Sequence, residues 1–326
     1  MVLALKSCEG DITAYGEIAP LPGLHRETLE MAEAQLLDLV CSHSFCIPGP
    51  LPDGLFPSVQ TGVEMAMLNL EAAASGTPPA FFPSAVTSAL LPLNALLSGD
   101  AASVPARAES LYELGYRVFK LKVNAGNTSN AIECIHSLHR RFGNKIELRL
   151  DANQSFALDD AVAFIREIPA GSISYIEEPI RNPAGIEEFH RKTSIRSALD
   201  ETLWLQPELL GMIPAEALGA LILKPNRIGG ISKALTFFRH ARENGLKAVI
   251  SSAFESGISL GMYAWLAASA SPDPAACGLD TFRYLQYDLL ELPFGSDNSL
   301  IDSRKAFLDA QNVNLHTLKP LSIWTS

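Results

Sequence analysis

Four short apolar runs of this chain each close on a charged residue: Leu148-Arg-Leu-Asp151, Tyr175-Ile-Glu177, Ala198-Leu-Asp200 and Leu223-Lys224. The closing residues are 26, 23 and 24 positions apart, about one strand-plus-helix unit each. One unit upstream, Tyr116–Val123 reads as a further strand. The period of two puts Lys120 and Lys122 on one face and Phe119, Leu121 and Val123 on the other. An amine facing a core needs an anion beside it, and the next strands supply three.

Short apolar runs alternate with helical patterns from about residue 91. Strands are predicted at 91–96, 117–123, 146–151, 173–178, 196–200, 219–224, 247–252 and 276–280. Helices are predicted at 104–115, 128–142, 157–167, 184–193, 206–217, 230–244 and 258–270. A doubly wound sheet gathers its polar residues at one crevice, whereas a closed barrel collects them from every strand at one mouth. Charged ends on five consecutive strands favour the barrel. Ahead of it, residues 1–98 read as an α+β capping domain. A strand is expected within 11–18, a helix over Thr28–Val40, a proline-rich loop over Cys46–Pro57, and a second helix over Ser58–Ala74 with Ser58 as its N-cap. The barrel is assigned to 99–295, and the tail 296–326 is expected to return to the cap.

Three converging carboxylates repel one another unless a cation sits among them. Oxygen donors without His or Cys suit a hard ion, so Asp151, Glu177 and Asp200 are expected to hold Mg²⁺, or Mn²⁺. The second and sixth strands of an eight-stranded barrel lie opposite each other, which sets Lys122 and Lys224 on two sides of the ion with the substrate between. This arrangement suits abstraction of a proton α to a carboxylate, with Lys120 depressing the pKa of Lys122 by like-charge repulsion. The competing reading of any single strand-end acid is a cap for the following helix, and of the whole set a structural ion network without activity.

The set Lys120-x-Lys122, Asp151, Glu177, Asp200 and Lys224 resembles the enolase superfamily, in its muconate-lactonising-type subgroup. Gly16–Gly23 with Glu27-Thr-Leu-Glu30, Leu148–Asn153, Val249–Ser252 followed by Glu255-Ser256, and Gly278–Thr281 resemble the o-succinylbenzoate synthase family within it. The resemblance implies a (β/α)7β-type modified TIM barrel with an α+β cap and an Mg²⁺-dependent dehydration. It implies Lys122 as the base that then protonates the departing hydroxide. It places Lys224 on the opposite face and Lys120 beside Lys122, touching the substrate carboxylate. Racemisation of an N-acylamino acid or epimerisation of a dipeptide, in the same superfamily, needs the same two lysines.

Further candidates carry alternatives. Arg149 shares the parity of Asp151 and either holds a substrate carboxylate or pairs with an interior acid. Asn153 orients the site or caps a helix, and Ser251 and Ser252 bond the substrate or serve as turn residues. Leu21–Leu24 reads as a lid loop or a plain connector, Glu178 and Glu201 stand behind the ligands, and His136 and His139 lie on a solvated helix face.

A net charge of −11 argues against nucleic acid as a partner. No apolar run reaches membrane-spanning length. The five cysteines, without CxxC spacing, suit reduced thiols in the cytoplasm. A small carboxylate substrate is the expected partner, and the chain is expected to be a monomer or a weak homo-oligomer.

Overall fold

A computed structural model of the chain describes residues 1–8, 11–41, 49–82 and 90–322. Cys46 and the start of the loop expected at Cys46–Pro57 lie outside them.

The cap opens on β1 (Val2–Lys6), antiparallel to β2 (Thr13–Glu17) with Val2 opposite Glu17. Strand β1 escapes sequence reading because five residues in the run VLALK show too little alternation to mark a strand. Helix α1 (Leu29–Cys41) buries Ala32, Leu36 and Leu39, and α2 (Pro57–Ser75) buries Val59, Val63 and Ala66 against them and Ile18. Gly62 lets α2 lie almost on the backbone of β2, since a Cβ there would sit 2.8 Å from the Glu17 carbonyl oxygen. Ser58 is not the N-cap: Phe56 holds that place and Pro57 fills the first helical position. The first-turn donors of Ser58, its amide at 3.1 Å and its hydroxyl at 2.7 Å, are taken instead by Glu27.

After β3 (Leu90–Pro92), the barrel strands are β4 (Asn94–Leu97), β5 (Val118–Lys122), β6 (Glu147–Asp151), β7 (Tyr175–Glu177), β8 (Ser197–Leu199), β9 (Leu218–Leu223) and β10 (Lys247–Ile250). They form one parallel sheet in chain order. The wall therefore begins at Asn94, ahead of the boundary read at 99. Helices α3 (Ser103–Glu113), α4 (Thr128–Phe142), α5 (Leu158–Arg166), α6 (Ile186–Thr193) and α9 (Ile231–Glu243) supply the crossovers. Two four-residue helical turns, α7 (Thr202–Leu205) and α8 (Pro225–Ile228), follow β8 and β9 directly. The helix expected at 206–217 does not form. Two 3₁₀ turns, Pro207–Gly211 and Ala215–Ala217, replace it, because Pro214 lacks the amide that a continuous helix needs.

The eighth strand, expected at 276–280, shrinks to two residues. Cys277 bridges Leu93 and Gly278 bridges Ser251, both parallel, and this seam closes the cylinder. Cys277 donates to Pro92 O at 2.8 Å and Gly278 to Ile250 O at 2.9 Å, while Asn94 and Ser252 donate back to Cys277 O and Gly278 O. A Cβ at Gly278 would come 2.4 Å from Ser251 Oγ, so glycine is what permits the closure. Helix α10 (Gly257–Ala270) is apolar all round and buried along its length. In the tail, β11 (Leu300–Asp302) pairs with β3 and α11 (Ser303–Asp309) packs on α10. Gln311 reaches back to Asn69 of the cap at 3.2 Å.

Candidate active site

Parallel register sets the levels inside the barrel. Lys122, Asp151 and Glu177 are register partners on β5, β6 and β7; Lys120, Arg149 and Tyr175 are partners one layer deeper. The upper ring faces the C-terminal mouth, where barrel sites form. Asp200 and Lys224 follow the last residues of β8 and β9 and complete the rim.

The charges interlock. Lys120 Nζ lies 2.7 Å from Glu177 Oε1 and 2.8 Å from Asp151 Oδ2. Lys122 Nζ donates to the same Asp151 oxygen at 2.6 Å and to Asn153 Oδ1 at 2.7 Å. Lys224 pairs with Asp200 Oδ2, its ammonium 5.7 Å from the centre of the Trp204 ring. Asp151, Glu177 and Asp200 are all fully buried.

Burial opposes ionisation of Asp151, but Lys120 and Lys122 overcome it and hold the carboxyl far below the usual range. Glu177 moves the other way. Burial, with Asp151 and Asp200 close by, pushes its carboxyl well up despite Lys120. Burial likewise works against the Lys120 ammonium, yet Glu177, Asp151 and Asp200 raise it well above a free lysine. The three carboxylates are balanced only by the three lysines that face them, and the upward push on Glu177 reflects how closely the acids crowd one another.

Among the described residues, no three acid, histidine or cysteine side chains stand as a ready-made metal cage. The structure brings Asp151, Glu177 and Asp200 onto adjacent strands at one mouth, but turns each onto an ammonium group. The donor set nonetheless fits a hard divalent ion. It is all oxygen, its carboxylates crowd one another, and Asp200 Oδ1 is buried with no hydrogen-bond partner among the described residues.

Other sequence candidates sort clearly. Arg149 forms the interior ion pair, one of its two readings, with Glu147. Its Nε donates to Glu147 at 2.9 Å and its Nη1 to the Ala276 carbonyl at 2.8 Å, in the same layer as Lys120 and one layer below Lys122. Glu147 also accepts from Lys247, so this interior pair seals the barrel floor. Asn153, in a left-handed conformation (φ 42°), joins the site by accepting from Lys122 and donating to Glu201 at 2.9 Å. Ser251 and Ser252 both donate to the Gly278 carbonyl, at 3.3 and 3.0 Å, and so bind the seam. Ser251 also lines a small chamber with Lys120, Arg149, Tyr175 and Glu177. His136 bonds the Glu167 carbonyl and takes no part.

Sequence reading missed how Glu178 works. Its carboxylate accepts the amides of Asp200 and Thr202 at 2.8 and 2.7 Å, the Thr202 hydroxyl at 2.8 Å and the Gln154 amide at 2.8 Å. Glu178 thus fixes the backbone from which Asp200 projects. The signal was present only as a second acid after Glu177, which parity sends outward.

The fold and site define an enolase-type barrel: a capped parallel cylinder whose lysines and strand-end carboxylates share one mouth. The family model for enolase C-terminal domain-like proteins matches residues 103–305, and that for the MenC N-terminal domain matches residues 2–70. The chain is 31% identical to the o-succinylbenzoate synthase of Haemophilus influenzae over 93% of its own length and 88% of the relative's. The L-Ala-D/L-Glu epimerase of Bacillus subtilis, solved with substrate, superposes with a TM-score of 0.79 at 20% identity, covering 92% of this chain and 87% of the other. A dipeptide epimerase of Enterococcus faecalis, solved with Mg and L-Leu-L-Tyr, gives a TM-score of 0.76 at 20% identity, with 92% and 87% covered. The two structures establish the fold. The chain belongs to the o-succinylbenzoate synthase family of the enolase superfamily, and it is an enzyme.

Proposed function

We propose that the protein dehydrates 2-succinyl-6-hydroxy-2,4-cyclohexadiene-1-carboxylate to o-succinylbenzoate, a step of menaquinone biosynthesis, in an Mg²⁺-dependent reaction. The observation that carries this reading is the placement of Lys122 at the end of β5 and Lys224 just past β9, with the three acids at the ends of the strands between them. The sequence similarity to o-succinylbenzoate synthases supports the choice of substrate.

Asp151, Glu177 and Asp200 would hold Mg²⁺, which when bound stabilises negative charge developing on the substrate carboxylate. Lys122, the most exposed of the three lysines at 40%, reaches the substrate and removes the α-proton as its free amine. The resulting enediolate expels hydroxide from the adjacent ring carbon, and the Lys122 ammonium returns the proton to it as water. Asn153 fixes the amine through its Oδ1. Lys224 stays charged on the other face, and Asp200 raises its pKa in spite of burial. An ammonium there stabilises anionic charge in the ring without competing for the proton. Lys120 is more deeply set, at 14% exposure, and balances Asp151 and Glu177.

Ultraviolet detection of o-succinylbenzoate formation, with and without EDTA, tests the reading. Turnover that stops on chelation and returns with Mg²⁺ supports it. Activity that survives thorough chelation overturns the metal assignment, and epimerisation of a dipeptide without dehydration overturns the substrate.

A further inference from the structure

Cap and barrel are joined at the segment just past Lys224. Thr61 on α2 donates to the Pro225 carbonyl at 3.0 Å, Asn226 Nδ2 donates to the Ala19 carbonyl at 2.8 Å, and Glu64 accepts the Ser232 amide at 3.0 Å. A further contact uses a ring with no part in the dehydration chemistry. His25 Nε2 lies 2.9 Å from the Asn226 carbonyl, and the Leu21 amide donates to His25 Nδ1 at 2.9 Å.

These two partners fix the tautomer. A backbone amide only donates, so Nδ1 must offer a lone pair; a carbonyl only accepts, so Nε2 must carry the proton. Both bonds exist only while the ring is neutral. A proton on Nδ1 would oppose the Leu21 amide and add a charge facing Arg227. The turn itself is tight, since the amides of Leu24 and His25 both return to the Leu21 carbonyl. Its ties to the barrel rim run through Asn226, a fully buried residue two positions past Lys224.

We propose that His25 is a positioning residue. As the neutral Nε2–H tautomer it latches the cap loop 19–25 to Asn226, steadying both the loop and the turn behind Lys224, and protonation of the ring opens the latch. The charged groups facing the ring are Arg227 on α8 and Glu27 ahead of α1, with Arg26 next in the chain and Glu255 beyond Asn226. Burial and Arg227 pull the ring's pKa down, against Asn226 and Glu27. An open loop returns His25 to an ordinary histidine pKa near 6.5, so the latch is complete above that pH and weakens as pH falls through it.

Hydrogen exchange of the full-length protein at about pH 7.5 and about pH 5, corrected for intrinsic rates, tests the latch. In the wild type, protection of the Leu21 amide falls about tenfold or more at the lower pH. His25→Gln keeps an acceptor and a donor without titrating, and its protection is the same at both values. His25→Ala leaves Leu21 unprotected throughout and raises KM several-fold, while kcat changes less than about threefold. Nitrogen shifts of the His25 ring at neutral pH report the Nε2–H form. A Leu21 amide whose protection ignores pH in the wild type, or survives His25→Ala, overturns the proposal. The KM arm rests on the proposed dehydration; the exchange arm does not, so failure of one is separable from failure of the other.

Discussion

Lys120 and Lys122 converge on a single atom: their ammonium groups lie 2.8 and 2.6 Å from the same Oδ2 of Asp151. Their second partners differ. Lys120 is also paired with Glu177, whereas Lys122 is also held by neutral Asn153 and reaches the mouth.

Removing each lysine should therefore fail differently. Lys122→Ala abolishes turnover, by about a thousandfold or more, with stability changed by about 1 kcal/mol or less. Lys120→Ala leaves Asp151 and Glu177 short of their buried counter-charge and costs about 3 kcal/mol or more in denaturant unfolding. Comparable stability losses in both variants would contradict this division.

Asn153 holds the Lys122 amine from the side. Asn153→Ala removes that acceptor and is expected to lower kcat about 10- to 100-fold. Asn153→Asp, which keeps an acceptor, should recover part of the loss. Steady-state kinetics on folded protein decide it, and unchanged kcat in Asn153→Ala would remove Asn153 from the site.

Glu178 is a bracket rather than a ligand. Glu178→Ala strands the amides of Asp200 and Thr202 in a fully buried place and should cost about 2–4 kcal/mol. Chemical denaturation measures it; a cost within experimental error would mean that Asp200 is held by other contacts.

Glu255 supplies a pH test away from the lysines. Burial pushes its carboxyl up to about 7, and one of its oxygens has no hydrogen-bond partner among the described residues. An unfolded chain releases this proton near the ordinary glutamate value. The folded state therefore binds more protons between that value and about pH 7, and its contribution to stability falls as pH rises through the window. Glu255→Gln should flatten that slope in melts recorded from about pH 4.5 to about 7.5, and an unaltered slope would assign it elsewhere.

Strand-end charges spaced by one unit made the barrel legible, because parallel strands in chain order turn that spacing into adjacency. Period-two parity placed Lys120 with Lys122 and sent Glu178 outward. Parity fixes direction but not partner, so it left Arg149 open between a substrate carboxylate and an interior acid; in the fold the side chain pairs with Glu147. Local pattern was also silent on Glu17, which accepts the amides of Ser256 and Ser259 at the start of α10, more than two hundred residues away. Glu27 at α2 is the same case at shorter range. Pairings of this kind depend on how the two halves dock, and a linear pattern carries no trace of them.

The seam at Cys277 and Gly278 gives the cylinder one wall element built from isolated bridges in place of a strand. Its amides are held by single bonds to flanking strands, without the cooperative ladder that guards the other staves. Breathing of the wall should begin along this joint. The rim beside Ser252 is then where the mouth yields first, while the lysine-bearing staves, two places away on either side, stay in register.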